Sequence, residues 1–208
     1  MPRSSPLALT VLALLHYRPL HPYGIQRLIR QWGKDQVVNV TQRASLYRTI
    51  DRLLAEGLIG VLETERDPSY PERTVYEITE RGRTTAHDWL LAMLALPNPE
   101  YPRFPAALSF ALMLTPHEAR SALERRAGIL EQSLAATTRR LAEAARLPRV
   151  VLLETDYQRA VLAAELQWVQ VAIADLRDGR LSWTLEELSA LAKLEDPAVE
   201  TDKEQQNQ

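Results

Sequence analysis

Thr41-Gln-Arg-Ala-Ser-Leu-Tyr-Arg-Thr-Ile-Asp-Arg-Leu-Leu-Ala-Glu-Gly57 is the stretch that decides the reading of this sequence. A threonine suited to capping opens it, and a glycine suited to ending a helix closes it. Leu46, Ile50, Leu53 and Leu54 recur at helical spacing, which predicts a single apolar face. Gln42, Arg43, Ser45, Arg48 and Arg52 fall opposite, and they supply the donors that phosphates and base edges accept. Tyr47 fits either a phosphate donor or a partly buried wedge. The stretch therefore reads as a DNA-recognition helix, against the plainer alternative of a solvated helical face.

What precedes it fits that reading. Pro6 suits the first turn of a helix, and Leu7 to Tyr17 is almost wholly apolar, as a buried helix requires. Arg18-Pro19 breaks it. A second helix is predicted from His21-Pro22, with Ile25, Leu28, Ile29 and Trp32 as its apolar stripe and Gly33 at its end. Trp32 and Trp89 are read as core residues of this half. After Gly57 the period changes from helical to alternating. Leu58 to Arg66 and Arg73 to Thr79 are rich in strand-forming residues and flank the turn cluster Asp67-Pro-Ser-Tyr-Pro-Glu72. Arg66 and Arg73 bracket this hairpin tip and are candidates for gripping the DNA backbone, with surface ion pairing as the alternative. A fourth helix is predicted from Thr79 to about Leu96, with Ala86, Trp89, Leu90, Met93 and Leu94 as its stripe.

Three helices, a two-stranded hairpin and a further helix make a winged helix-turn-helix. Ser45-Leu-Tyr-Arg-Thr-Ile-Asp-Arg-Leu-Leu-Ala-Glu-Gly-Leu-Ile59 resembles the signature of the PadR family of transcriptional regulators. Pro71-Glu-Arg-Thr-Val-Tyr-Glu-Ile-Thr-Glu-Arg-Gly-Arg83 resembles that family's second wing strand and its exit into the next helix. Leu20-His-Pro-Tyr-Gly-Ile25 is similar to the family's entry into helix two. It departs from the usual Gly-Tyr followed by a polar residue, because Pro22 precedes Tyr23 and Gly24 follows it. The resemblance covers roughly residues 7–96.

Pro97-Asn-Pro-Glu-Tyr-Pro-Arg-Phe-Pro105 reads as a linker. The expected organisation is a DNA-binding domain over 1–96, a proline-rich linker over 97–105, a helical dimerisation and effector domain over 106–194, and a disordered tail over 195–208. Thr115-Pro-His-Glu118 carries a capping box and should open a helix running to about Arg146. After Pro148 a second long helix should span about Arg149 to Asp178, antiparallel to the first, and Gly179 should end it. Thr184-Leu-Glu-Glu187 caps a last short helix.

The second long helix carries two apolar seams. Tyr157, Val161, Ala164, Trp168 and Val171 form one; Leu162, Leu166, Val169, Ile173 and Leu176 form the other. One seam suffices to pair with the preceding helix, so the other calls for a partner such as a second copy. Leu162, Leu166, Val169, Ile173 and Leu176 are the candidates for dimerisation, while the spacing leaves open which of the two seams faces the partner subunit. Helical C-terminal halves of PadR-like regulators, notably of the virulence-activator type, are dimerisation regions, and the resemblance implies the same here. Tyr157 and Trp168 are then candidates for lining a cleft for a small aromatic or apolar effector, with core filling as the alternative.

The chain of 208 residues has a net charge of only −2, but the charge is unevenly spread. Seven basic residues and two acidic ones lie between Arg18 and Arg52, whereas beyond Met93 acidic residues outnumber basic ones by 17 to 13. Local charge sets where phosphate docks. Cysteine is absent, so disulfides and thiol chemistry are excluded. The four histidines, His16, His21, His87 and His117, share no metal-ligand spacing, and no phosphate loop or nucleophile elbow occurs. Neither an enzyme nor a bound cofactor or metal is expected. The apolar run Leu7 to Leu15 lacks a small-residue cleavage site and reads as a core helix, and no run reaches the length of a membrane span.

The sequence thus predicts a mainly α protein: a winged helix-turn-helix with a two-stranded wing, then a helical dimerisation domain with two long antiparallel helices in coiled-coil fashion. The expected function is that of a cytoplasmic, homodimeric, ligand-responsive repressor. Its partners would be double-stranded DNA, a second copy of itself and a small effector, with no membrane. Arg30, Arg43, Arg52 and the wing would hold phosphates. The alternatives are a winged-helix module for protein partners and a regulator that has no effector.

Overall fold

The computed structural model describes residues 4–34, 38, 43–65, 73–97, 101–184 and 186–187; at 43, 64, 65 and 73 the backbone alone is described. Thr41, the hairpin tip and residues 188–208 lie outside the described residues. The chain divides into two compact units, Met1–Glu100 and Tyr101–Gln208.

In the first unit, α1 spans Pro6–Tyr17, α2 Pro22–Gln31, α3 Arg43–Ala55 and α4 Glu80–Ala95. The wing strands β1 (Ile59–Glu65) and β2 (Arg73–Ile78) pair antiparallel. Local chemistry explains the helix starts. Ser5 caps α1 by accepting a hydrogen bond from the Ala8 amide at 3.2 Å, and Pro6 follows at the first helical position. His21 caps α2 through its ring: Nδ1 accepts from the Gly24 amide at 3.0 Å. Pro22 loses nothing at the next position, because that N–H has no helical partner in any case. Gly33 and Gly57, with φ of 66° and 67°, supply the left-handed residue after α2 and α3.

The core of this unit is built from Leu12 and Leu15 of α1, Ile25 and Ile29 of α2, and Leu46, Ile50 and Leu53 of α3, with Trp89 of α4 at its border. Full burial of each such side chain contributes about 1.5–3 kcal/mol, so the three-residue stripe of α3 fixes that helix's rotation. Leu54 is exposed, contrary to expectation, because at 100° per residue it lies about 80° around the helix from Leu46. Trp32 is likewise no core residue. It is 48% exposed and rests edge-on against Tyr17, with ring centroids 6.1 Å apart. Leu90 and Leu94 of α4 also face outward, whereas Trp89 is buried as expected.

The wing has two features beyond the hairpin. The pairs Ile59–Ile78, Gly60–Glu77 and Val61–Tyr76 give way to Glu63–Val75, so Leu62 is a bulge. Leu20 pairs with Tyr76 through two backbone hydrogen bonds of 3.0 Å each, which ties the link between α1 and α2 to β2.

The second unit holds α5 (Arg103–Leu108), a 3-10 turn (Ala111–Met113), α6 (Pro116–Glu143) and α7 (Arg149–Arg177). α5 begins within the stretch expected to be linker, since Pro105 sits in its first turn, where proline is tolerated. The capping box of α6 is complete: Thr115 Oγ1 accepts from the Glu118 amide at 3.3 Å, and the Thr115 amide donates to Glu118 Oε2 at 2.8 Å. These bonds, backbone first, hold the Glu118 carboxyl below its ordinary pKa. α6 and α7 run antiparallel, as their cross-links show: Gln170 donates to Glu131, and Arg177 pairs with Glu124 seven residues earlier on α6. Trp183 returns to this unit by donating its indole N–H to the Leu114 carbonyl at 2.8 Å. The expected cap at Thr184 and Glu187 forms, with the Thr184 amide donating to Glu187 Oε2 at 2.8 Å.

Space is short where α4 leaves the wing. A methyl group on Gly82 would stand 2.0 Å from the Leu58 carbonyl oxygen and 2.9 Å from an Ile78 side-chain carbon. The oxygen is backbone and cannot step aside, so Gly82→Ala should destabilise the unit by about 1–3 kcal/mol or more. Denaturant unfolding of the full chain measures this; a variant as stable as its parent would contradict the close approach.

Candidate nucleic-acid interface

With Leu46, Ile50 and Leu53 turned inward, the helical period places Ala44, Arg48, Asp51 and Ala55 along the outward crest of α3. Tyr47 lies on one shoulder, half exposed; Ser45 and Arg52 lie on the other. Of the residues expected to contact DNA, Arg48 is therefore at the centre, and Ser45, Tyr47 and Arg52 flank it. Gln42 and Arg66 lie outside the described residues, and only the backbones of Arg43 and Arg73 are described, the latter paired with Glu65. Arg30 is exposed in the last turn of α2. Ala44 and Asp51 were not singled out by the sequence reading. Counting positions from the buried stripe was the signal that would have found them.

The side chains of this face are preset to different degrees. Arg48 Nε donates to the Ala44 carbonyl one turn back, at 3.2 Å, so its guanidinium lies along the helix surface. Arg52 pairs with Glu56 at 3.7 Å, a contact between two partly buried side chains. Thr49 Oγ1 donates to the Ser45 carbonyl at 2.8 Å. On β2, burial, followed by the charge of Asp51 and by Tyr47, pushes the Tyr76 phenol above its ordinary pKa. Tyr76 thus stays a neutral hydroxyl donor at the side of α3 that carries Tyr47 and Asp51.

The backbone holds α3 and the wing as one piece. The Leu58 amide donates to the Leu53 carbonyl at 2.9 Å, and the Thr79 amide donates to the Leu58 carbonyl at 3.1 Å. Thr79 Oγ1 donates to the Gly57 carbonyl at 2.8 Å and accepts from the Gly82 amide at 3.0 Å, so one hydroxyl joins the end of α3 to the start of α4. This arrangement offers donors on a protruding helix beside a fixed β-ribbon, and it gathers no nucleophile with a base. Among the described residues no group of three or more His, Cys, Asp or Glu side chains is placed to hold a metal ion.

The second unit sorts the two seams of α7. Leu166, Val169 and Ile173 are buried against Ala127 and Leu130 of α6, with Leu162, Leu123 and Leu134 at the edges, and Leu176 is buried as well. The seam expected to meet a second copy is therefore filled by the chain's own core. The other seam is open: Tyr157 is 71%, Val161 45%, Trp168 51% and Val171 56% exposed. Tyr157 and Trp168 share this seam but stand 11 residues apart, about 16 Å along the helix, and so do not form one cleft by themselves. Trp168 instead has Phe104 edge-on at 6.0 Å, and the Arg126 guanidinium lies 3.6 Å over the Phe104 ring while Arg126 Nε donates to Glu165 at 2.6 Å. A separate groove of about 390 Å³ between α6 and α7 is lined by residues including Ala127, Gly128, Ile173 and Ala174, with Glu124 and Arg177 at its rim. No helix of the described residues is long and apolar enough to cross a membrane.

Comparison with known proteins follows the same division. The fold is similar to that of Bacillus subtilis PadR in complex with operator DNA, with a TM-score of 0.66, 18% identity, and coverage of 83% of this chain and 99% of that one. It is similar to the same protein in complex with p-coumaric acid, with a TM-score of 0.66, 18% identity, and coverage of 82% and 98%. The Vibrio cholerae virulence activator AphA gives a TM-score of 0.62 at 21% identity, over 83% of this chain and 98% of that one. At these identities the likeness shows a common fold. No curated protein sequence matches the chain. Residues 11–88, from within α1 to within α4, match the model of the transcriptional regulator PadR-like family. The winged helix-turn-helix domain, residues 11–88, is thus that of the PadR-like family of transcriptional regulators.

Proposed function

We propose that this regulator binds operator DNA as a homodimer and releases it when a small aromatic or apolar ligand binds, so that it acts as a repressor. The observation that carries the reading is the outward crest of α3 with Arg48 at its centre, held rigidly beside the wing. A helix of this kind inserts into the major groove, where arginine bonds guanine bidentately, while Arg30, Arg43, Arg52 and the wing's Arg66 and Arg73 hold the flanking phosphates. The complex of Bacillus subtilis PadR with operator DNA supports this use of the fold.

The open seam of α7 supports the dimer. Val150, Leu153, Tyr157, Val161, Ala164, Trp168 and Val171 fall within about 40° of one line along the helix. An apolar line some 30 Å long calls for a matching surface, and a second copy of the same helix supplies one about a two-fold axis. Two winged helices would then read half-sites about 34–36 Å apart or a multiple of this. This seam takes over the dimer role that sequence reasoning gave to Leu162, Leu166, Val169, Ile173 and Leu176.

The effector reading draws on the Phe104, Trp168 and Arg126 cluster, which presents two rings and a cation, the complement of a planar aromatic acid. The complex of Bacillus subtilis PadR with p-coumaric acid supports a ligand of that chemistry. Such a ligand changes DNA affinity only by binding one arrangement of the dimer better than another.

Three measurements test these statements. In mobility-shift titrations with the promoter of its own gene, Arg48→Ala should weaken specific binding by about ten-fold or more, corresponding to the loss of roughly 1–3 kcal/mol; unchanged binding would remove Arg48 from the interface. Sedimentation equilibrium should find Val161→Glu monomeric where the parent chain is a dimer, and a dimeric variant would rule out the open seam. Titrating planar aromatic acids should release the operator duplex and shift tryptophan emission at matching concentrations, with the emission change lost in Trp168→Phe. If neither signal moves, the regulator has no effector of this class.

A further inference from the structure

Asp51 is the one carboxylate in α3, and it sits on the outward crest one helical turn beyond Arg48. It is exposed, and it forms no ion pair with another described residue. Its basic neighbours along the helix are engaged elsewhere: Arg48 with the Ala44 carbonyl and Arg52 with Glu56. A carboxylate on a face that meets phosphates opposes binding by simple repulsion. A carboxylate is an acceptor only, so what it can satisfy on a base edge is an exocyclic amino group. In the major groove those groups are cytosine N4 and adenine N6, whereas guanine and thymine turn only acceptors, or a methyl group, toward the same place.

We propose that Asp51 is a specificity-determining residue of the DNA interface, selecting an amino-bearing base, cytosine or adenine, at one position of each half-site and rejecting guanine and thymine there. The spacing supports it. Ala44, Arg48 and Asp51 follow one another at four and three residues along the crest, so a helix that brings Arg48 to a base edge carries Asp51 along the same groove. The rejection is the stronger half of the effect. Opposite guanine O6 or thymine O4 the carboxylate is desolvated against another acceptor with nothing between them. The carboxylate thus trades affinity for discrimination: it lowers binding to all DNA and lowers binding to the wrong DNA more.

This inference rests on the reading of α3 as a DNA-recognition helix, and the experiment separates the two. The full-length chain, Asp51→Ala and Asp51→Asn are each used to select bound duplexes from a randomised pool with fixed flanks, and affinity for an unrelated duplex is measured alongside. The parent should show a preference of about ten-fold for cytosine or adenine at one position per half-site. Asp51→Ala should lose that preference while keeping the others, and should bind the unrelated duplex more tightly. Asp51→Asn should move the preference to adenine, which asparagine bonds bidentately. Three identical sequence preferences would overturn the role of Asp51 and leave DNA recognition standing. A parent chain that enriches no duplex at all would overturn both. Because Asp51 is exposed, the variants keep the core of the unit intact.

Discussion

The first unit depends on how the Leu58 carbonyl is used. It accepts the Thr79 amide, and the surface around it is so close to α4 that residue 82 has no room for a side-chain carbon. Through that point the end of α3, the base of the wing and the start of α4 share one small set of hydrogen bonds, with the Thr79 hydroxyl as donor to one neighbour and acceptor from the other. The geometry of the reading head follows from it. α3 cannot rotate without moving Leu58, and Leu58 cannot move without disturbing both strands. A buried stripe of three residues fixes the helix from below, and this knot fixes it from the end.

Most of the fold was legible in the sequence, because the elements of both units are bounded by residues with local rules. Pro6, Pro22 and Pro116 mark first turns; Ser5, Thr79 and Thr115 cap; Gly33, Gly57 and Gly179 adopt the left-handed conformation that ends α2, α3 and α7. What escaped depended on choices between nearly equal alternatives. Leu54 sits at the edge of its stripe, where a small helical rotation decides between core and solvent, and Trp32 lies at the C-cap, just past the end of α2. Arg103-Phe104 reads as linker because Pro102 and Pro105 frame it, yet a proline in the first turn is compatible with the helix that forms. The helix-one link that pairs with Tyr76 is a two-bond contact with no period to announce it.

The seams of α7 are the sharper case. Periodicity finds both but cannot say which one turns inward, because each has the spacing a partner helix requires. The choice is visible in what borders them. Glu165, Gln170 and Arg177 flank the buried seam and meet Arg126, Glu131 and Glu124 on α6. Such contacts add little energy at an exposed edge, but they favour one rotation over another where apolar burial is nearly indifferent. On α3 the same reasoning applies in reverse. A scan for basic residues finds Arg48 and Arg52 and passes over Asp51, which geometry puts on the crest.

The bulge at Leu62 reverses parity along the wing. On the side near the core, Ile59 and Val61 pair with Ile78 and Tyr76, odd with even; beyond the bulge the backbone pairs odd with odd and even with even, as Glu63 with Val75 and 64 with 74. A change of apolar pattern in the outer half of β1 therefore leaves the inner half untouched, because the two obey opposite alternations. One surplus residue uncouples the part of the wing that must fit its own core from the part that must fit whatever the wing meets. Variation in what the wing touches can then accumulate without eroding the fold that carries it.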